Sequence, residues 1–192
     1  MSEQASFPGL EPARPTDRLF LALFPDPATA QAMAGLAAVQ CAAQGLRGRP
    51  LLTDRFHVTL FHLGDSAGLR GDVVEAATKA AGGLRAAPFE LCFDEVGSFA
   101  GRRDKLPFVL RSGDGNAPLH AFHATLATRL REVGLRRFAG GGFEPHVTLA
   151  YDARMVAAQP VAPLRWTARE FVLVHSLLGQ TRHILLARWP LG

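Results

Sequence analysis

The chain of 192 residues contains only two cysteines, Cys41 and Cys92, and only two lysines among its 21 basic residues. The two cysteines lie far apart and lack the spacing of a zinc site, so we expect buried free thiols in a reducing compartment. No apolar run reaches the roughly 18 residues that a membrane-spanning helix needs. A Gly-x-x-x-x-Gly-Lys motif is also missing, so nothing in the sequence indicates an ATP-binding loop.

The remaining composition is that of an ordinary globular protein, with 48% hydrophobic and 20% charged residues. Residues 1–17 are rich in proline and contain no long apolar run, so we expect a disordered lead-in and no secretory signal. Residues 18–192 are expected to form a single domain, because the chain is about 1.3 times a typical domain in length. We therefore expect a cytoplasmic protein, and the net charge of +4 is compatible with nucleic acid without requiring it.

Hydrophobic periodicity predicts seven strands and three helices. The strands are expected at residues 18–24, 55–63, 89–96, 106–111, 146–151, 170–178 and 183–189. The helices are expected at residues 28–44, 72–81 and 119–133. Residues 153–165, which include Pro160 and Pro163, are expected to form a loop. Strands and helices mix without strict alternation, so the sequence favours an α+β fold with largely antiparallel sheets.

One tetrapeptide, His-Val-Thr-Leu, occurs twice, at residues 57–60 and 146–149. Side chains alternate between the two faces of a strand, so His57 and Thr59 point one way while the apolar residues between and after them point to the core. The same holds for His146 and Thr148. If the two strands lie side by side, two imidazoles and two hydroxyls converge on one cleft.

This set of side chains suits displacement at phosphorus. An imidazole has a pKa of about 6.5, so one histidine can take a proton from the attacking nucleophile while the other gives one to the leaving oxygen. The threonine hydroxyls can hold phosphate oxygens, and the sequence lacks the carboxylate cluster of a two-metal phosphoesterase, so we expect no metal. A single strand histidine is more often structural, but two identical copies favour catalysis.

The other five histidines are interpreted as structural or surface residues. His62 lies five residues after His57, so strict alternation predicts that it faces the opposite side, at the surface. His120 and His123 are three residues apart on one predicted helix, where solvated or capping roles are favoured over zinc binding. His175 and His183 lie in the last two predicted strands, and one of them could line the cleft, although a structural role is favoured for both.

With both motifs in place, the chain resembles the two-histidine phosphoesterases of the bacterial LigT-like group, which are RNA 2′,3′-cyclic phosphodiesterases also called 2′-5′ RNA ligases. Further similar segments are 18–25, 143–150, 171–176 and 189–191, so the resemblance covers about residues 18 to 191. It implies a bilobal fold in which two pseudo-symmetric antiparallel-sheet lobes, flanked by helices, enclose a central cleft. It also implies hydrolysis of RNA 2′,3′-cyclic phosphate ends to 2′-phosphomonoesters, without a cofactor.

The resemblance assigns roles that the symmetric motifs alone leave open. It implies that His57 protonates the departing 3′-oxygen, that His146 activates water, and that Thr59 and Thr148 hold the phosphate. Many relatives have a basic residue soon after the second motif, where this chain has Tyr151, which we expect to contact the substrate. A tryptophan common before the first motif is also absent, and residues 46–55 offer Arg47, Arg49 and Arg55 instead.

Two other functions remain open on the sequence. One is hydrolysis of another small cyclic phosphodiester, such as a cyclic phosphate of ADP-ribose or a cyclic nucleotide. The other is a protein that binds RNA or a nucleotide without turnover, although such a protein has no need for two titratable imidazoles. RNA ligation is possible as the reverse reaction. We expect a monomer whose partner is an RNA end or a small cyclic phosphodiester, with no membrane partner.

Overall fold

The computed structural model describes residues 13–102, 104–113 and 116–192, which form eight strands and three α-helices. The elements are β1 (Asp17–Leu23), α1 (Pro27–Ala43), β2 (Val58–Ser66), α2 (Gly71–Gly82), β3 (Phe89–Ser98), β4 (Leu106–Arg111), α3 (Ala117–Glu132), β5 (His146–Asp152), β6 (Gln159–Ala168), β7 (Glu170–Leu177) and β8 (Arg182–Pro190). All three predicted helices are confirmed, with ends shifted by at most two residues. Most of the expected lead-in, residues 1–12, lies outside the described residues, and Asp17 already belongs to β1.

The strands form one sheet in the order β6-β3-β4-β5-β2-β1-β7-β8, with antiparallel neighbours throughout. Its centre is the weakest junction, because β2 and β5 pair only between Val58 and Val147. The sheet thus consists of two four-stranded halves. We call them the β1 half (β2, β1, β7, β8) and the β4 half (β5, β4, β3, β6). This arrangement confirms the predicted α+β fold with two antiparallel lobes.

The helices cover one face of the sheet. Buried residues of all three helices, such as Met33, Ala77 and Leu126, share one hydrophobic core with sheet residues from both halves, including Val58 and Val147. Among the described residues, no helix packs on the opposite face, which carries a small apolar cluster in the β1 half, made of Phe20, Ala22, Val172 and Val174 with Phe24 beside it. That opposite face is therefore open where the two halves meet.

The entry into α1 shows how local sequence ends β1 and directs the chain to the covered face. Asp26 has an extended backbone, and its carboxylate accepts a hydrogen bond from the Thr29 N–H at 3.0 Å and another from the Thr29 hydroxyl. Pro27 follows at the first helical position, where its missing N–H costs nothing. The chain thus leaves the strand, forms a capped helix start, and packs the helix on the core.

The predicted loop at residues 153–165 is wrong, because Gln159–Ala168 form the edge strand β6. β6 lies at the edge of the sheet and pairs with β3. Pro160 and Pro163 are tolerated there, because an edge strand needs backbone hydrogen bonds on one side only. Trp166 anchors the strand, being buried and stacked on Phe93 with ring centres 5.2 Å apart. Proline content alone therefore does not distinguish an edge strand from a loop.

The two cysteines are free: Cys41 is buried, as expected, whereas Cys92 is only half-buried. Among the described residues, none of the helices combines the length and the apolar character needed to cross a membrane.

Candidate active site

Both His-Val-Thr-Leu motifs lie at the junction of the two halves. His57 directly precedes β2, whose start is later than predicted because Thr53–Arg55 form a 3-10 turn, and His146 is the first residue of β5. The fully buried Val58 and Val147 pair across the junction and point into the helix-covered core. Alternation then places His57, Thr59, His146 and Thr148 on the open side, which we call the histidine face.

Each motif contains a β-bulge at its leucine. The register of β2 with β1 skips Leu60, and the register of β5 with β4 skips Leu149. A bulge moves the residues after it to the other face, so His62 and Tyr151, each five residues after a motif histidine, lie on the histidine face. The prediction that His62 faces away was therefore wrong. It is exposed, as expected, and pairs with Asp65 at 2.9 Å.

The two histidine rings are oriented in the same way by the backbone. Nδ1 of His57 lies 2.7 Å from the carbonyl oxygen of Arg55, and Nδ1 of His146 lies 2.8 Å from that of Glu144. A carbonyl only accepts hydrogen bonds, so Nδ1 carries the proton in each ring and donates it. Nε2 of each neutral imidazole therefore keeps a free lone pair, which is the arrangement needed to exchange a proton with a substrate.

His57 lies in an aromatic pocket. Its ring stacks on Phe20 with centres 4.9 Å apart, and Phe24 and His183 lie 5.5 Å and 5.4 Å away. This burial lowers the pKa of His57 to about 4, with smaller effects in the same direction from His183, Arg55 and His146. His57 is therefore neutral near pH 7 in the free protein.

His146 has different neighbours, although its motif is identical. The Phe99 ring meets it edge-on at 4.8 Å, and Arg111 lies directly opposite it in the β4–β5 pairing. The Arg111 guanidinium is held by two carboxylates, Glu95 at 2.8 Å and Glu144 at 2.9 Å. The identical motifs thus provide one histidine in an aromatic pocket and one beside a paired arginine.

Tyr151 lies at the rim of the histidine face, 40% exposed, with Lys105 Nζ 5.0 Å from its ring centre. The segment before the first motif packs against the backbone at this point. A Cβ on Gly48 would lie 1.9 Å from the Tyr151 carbonyl oxygen, so only glycine allows this approach. The Gly48 N–H also donates to Asp152, at 2.7 Å. These contacts fix the segment that leads to Arg55 and His57.

Four residues that line the site, Phe20, Phe99, Arg111 and His183, were not predicted as functional residues. The sequence left open that His175 or His183 lines the cleft, and His183 is the one that does, because its ring packs edge-on against His57. His175 does have a structural role, since it is buried and hydrogen-bonded to Asp17. Sequence spacing carries no information on such contacts, which arise from pairing between distant strands.

The expected solvated or capping role of His123 is also wrong. Its ring is sandwiched between Phe61 and Phe143, with centres 4.2 Å and 3.8 Å away. His123 thus packs between Phe61 of β2 and Phe143 of the segment before β5. Burial at this position lowers the pKa of His123 to about 4. His120 is exposed, and its ring meets that of Phe143 edge-on. Among the residues that the structure describes, no three His, Cys, Asp or Glu side chains are grouped so as to hold a metal ion.

A cavity of about 740 Å³ lies on the His57 side of the site. It shares Phe24 and His183 with the surroundings of His57, and it includes none of the neighbours of His146 described above. Its wall combines apolar side chains, Val172 and Leu185, with charged groups such as Asp54 and Arg169. The site is therefore asymmetric, with room for an organic group next to His57.

Comparison with known proteins shows similarity in sequence and in fold. A family model described as the 2′-5′ RNA ligase superfamily matches residues 21–180. RNA 2′,3′-cyclic phosphodiesterase from Escherichia coli (strain K12) is 30% identical over 151 residues, which cover 75% of this chain and 80% of that protein. The crystal structure of E. coli LigT in its apo form superposes with a TM-score of 0.74 at 26% identity, covering 93% of this chain and 99% of LigT. The protein TT0787 of Thermus thermophilus gives a TM-score of 0.69 at 21% identity, covering 91% of this chain and 97% of that one. The chain therefore belongs to the 2′-5′ RNA ligase superfamily.

Proposed function

We propose that this protein hydrolyses 2′,3′-cyclic phosphate ends of RNA to 2′-phosphomonoesters through His57 and His146. The observation that carries the proposal is the shared orientation of the two rings: both donate from Nδ1 to a backbone carbonyl and keep Nε2 free on the same face. The name of the E. coli relative, RNA 2′,3′-cyclic phosphodiesterase, supports this choice of substrate. Two imidazoles are the acid and the base that displacement at phosphorus requires.

The cavity supports the assignment of roles. In an in-line displacement, the nucleophile and the leaving oxygen lie on opposite sides of phosphorus. The terminal nucleoside carries the leaving 3′-oxygen, and the 740 Å³ cavity provides room for it on the His57 side. His146 Nε2 takes a proton from water as the water oxygen bonds to phosphorus. The bond from phosphorus to the 3′-oxygen breaks as His57 gives that oxygen a proton, which leaves the phosphate on the 2′-oxygen.

The low pKa of His57 is compatible with this role. An imidazolium with a pKa of about 4 is a strong acid, so it readily protonates a leaving alkoxide. The cyclic phosphodiester carries one negative charge, which favours the protonated ring when the substrate is bound. Substrate binding is then coupled to proton uptake by His57, and affinity rises as the pH falls toward the pKa of the free ring.

Thr59, Thr148 and Tyr151 complete the proposed site. Both threonines are half-buried on the histidine face, one beside each motif histidine, where their hydroxyls can donate to the non-bridging phosphate oxygens. Tyr151, at the rim, offers its hydroxyl to the substrate. Because these groups and the two histidines supply every proton transfer, the proposed reaction needs neither a metal nor ATP.

Product analysis tests the proposal. We expect the purified protein, in EDTA, to convert an oligonucleotide that ends in a 2′,3′-cyclic phosphate into one that ends in a 2′-phosphate. The two phosphate isomers are separated by chromatography against synthetic standards. A 3′-phosphate product would contradict the leaving-group assignment. Activity only with added metal would contradict the metal-free chemistry, and tight binding without turnover would favour a nucleotide-binding protein.

A further inference from the structure

We propose that Arg55 is the cation that binds the phosphoryl oxygens of the substrate at the histidine pair. The inference deepens the proposed function and rests on it. Arg55 occupies the last position of the 3-10 turn before the first motif, and its own carbonyl orients His57. The same residue thus fixes the ring through its backbone and presents a guanidinium to the site through its side chain.

Arg55 is half-buried, and its side chain has no hydrogen-bond or ion-pair partner among the described residues. Its Nη1 atom is shielded from solvent and makes no hydrogen bond within the described part of the chain. Burial lowers the pKa of Arg55, and the neighbouring Asp54 only partly offsets this. Leaving a shielded N–H without an acceptor costs free energy, and an anion bound at Nη1 would recover it.

Two arginines of the histidine face, Arg18 and Arg111, are already neutralised. Arg18 forms a bidentate pair with Asp65, with both hydrogen bonds at 2.7 Å. Arg111 is held between Glu95 and Glu144. Arg55 forms no ion pair with any described residue, so among these three its guanidinium is the one available to an incoming anion.

The position of the charge fits an anion between the two motifs. Asp54, the residue directly before Arg55, lines the same cavity as His183. Burial is the main cause of the low pKa values of His57 and His183, and the charge of Arg55 lowers both further. A planar guanidinium there can bind two phosphate oxygens at once.

Binding of inorganic phosphate tests Arg55 separately from catalysis. We expect Arg55→Gln to weaken phosphate binding by about 10- to 100-fold, the range for loss of a hydrogen bond to a charged group. Arg55→Lys keeps the positive charge but not the planar pair of N–H donors, so it should lose less phosphate affinity than Arg55→Gln. The control is Arg49→Gln, which removes the same charge from an exposed position in the same segment and should bind phosphate like the unchanged protein.

Binding is followed by NMR of the histidine rings in the full chain. The titration of the His57 ring provides a second readout. Arg55→Gln removes a nearby cation and should raise the pKa of His57, whereas Arg49→Gln should leave it unchanged. Equal phosphate affinity in Arg55→Gln and the unchanged protein, or an unchanged His57 midpoint, would overturn the proposal. If phosphate binding depends on Arg55 but no cyclic phosphate is hydrolysed, the phosphate site stands and the proposed function fails.

Discussion

Replacing either His57 or His146 with alanine should lower kcat/KM for a cyclic-phosphate-ended oligonucleotide by roughly 10²–10⁴-fold, the usual contribution of one general acid or base. Neither ring takes part in strand pairing: each donates from Nδ1 to a backbone carbonyl and packs on aromatic side chains, so its removal leaves the pairing intact. The loss should therefore appear as slower turnover of a folded protein. Single-turnover kinetics with saturating protein separates this effect from weaker binding.

The double variant sharpens this prediction. Acid and base act in the same transition state, so their effects should not add, and the variant lacking both rings should be little slower than the worse single variant. His62→Ala is the matched control, because His62 lies on the same face but is engaged by Asp65. Activity within a few-fold of the unchanged protein in both single variants would contradict paired histidine catalysis.

Phe56→Ala should destabilise the protein by about 3–5 kcal/mol, the range for truncating a buried phenylalanine. Phe56 is fully buried in the core directly before His57, so its ring anchors the first motif. The hydrogen bond between Gly48 and Asp152 fixes the segment that precedes Phe56, so this segment cannot relax freely into the cavity left by truncation. Urea unfolding followed by circular dichroism gives the free energy.

Leu52→Ala is the control for Phe56→Ala. Leu52 lies four residues earlier in the same segment and is 69% exposed, so its truncation should change the free energy of unfolding by less than about 0.5 kcal/mol. A similarly small change in Phe56→Ala would mean that the ring does not anchor the motif in solution.

The two motif histidines could be predicted from the sequence, because the pattern that identifies them lies within a few consecutive residues. A repeated His-Val-Thr-Leu in two strand-like segments gives both the residue types and, through alternation, the common face. The helices were equally predictable from their periodicity and from caps such as Asp26-Pro27. These features depend only on residues a few positions apart, and the structure places them close to where the sequence does.

The rest of the site depends on contacts between distant segments. The bulges at Leu60 and Leu149 move the residues after them to the other face of the sheet. Simple alternation therefore predicted the wrong face for His62. His183 reaches His57 from the last strand, 126 positions further along the chain, and no spacing rule predicts that contact. The edge strand β6 was missed because its place in the sheet, and not its composition, makes its prolines acceptable.

The measurement that tests the roles of His57 as acid and His146 as base most directly uses a cyclic phosphate whose 3′-bridging oxygen is replaced by sulfur. A thiol has a pKa of roughly 8.5, so the sulfur departs as a thiolate and needs no proton from a general acid. On this substrate His57→Ala should regain most of the activity of the unchanged protein, while His146→Ala should stay impaired by roughly 10²-fold or more. Recovery of His146→Ala instead, or equal impairment of both variants, would contradict the assignment of His57 as acid and His146 as base.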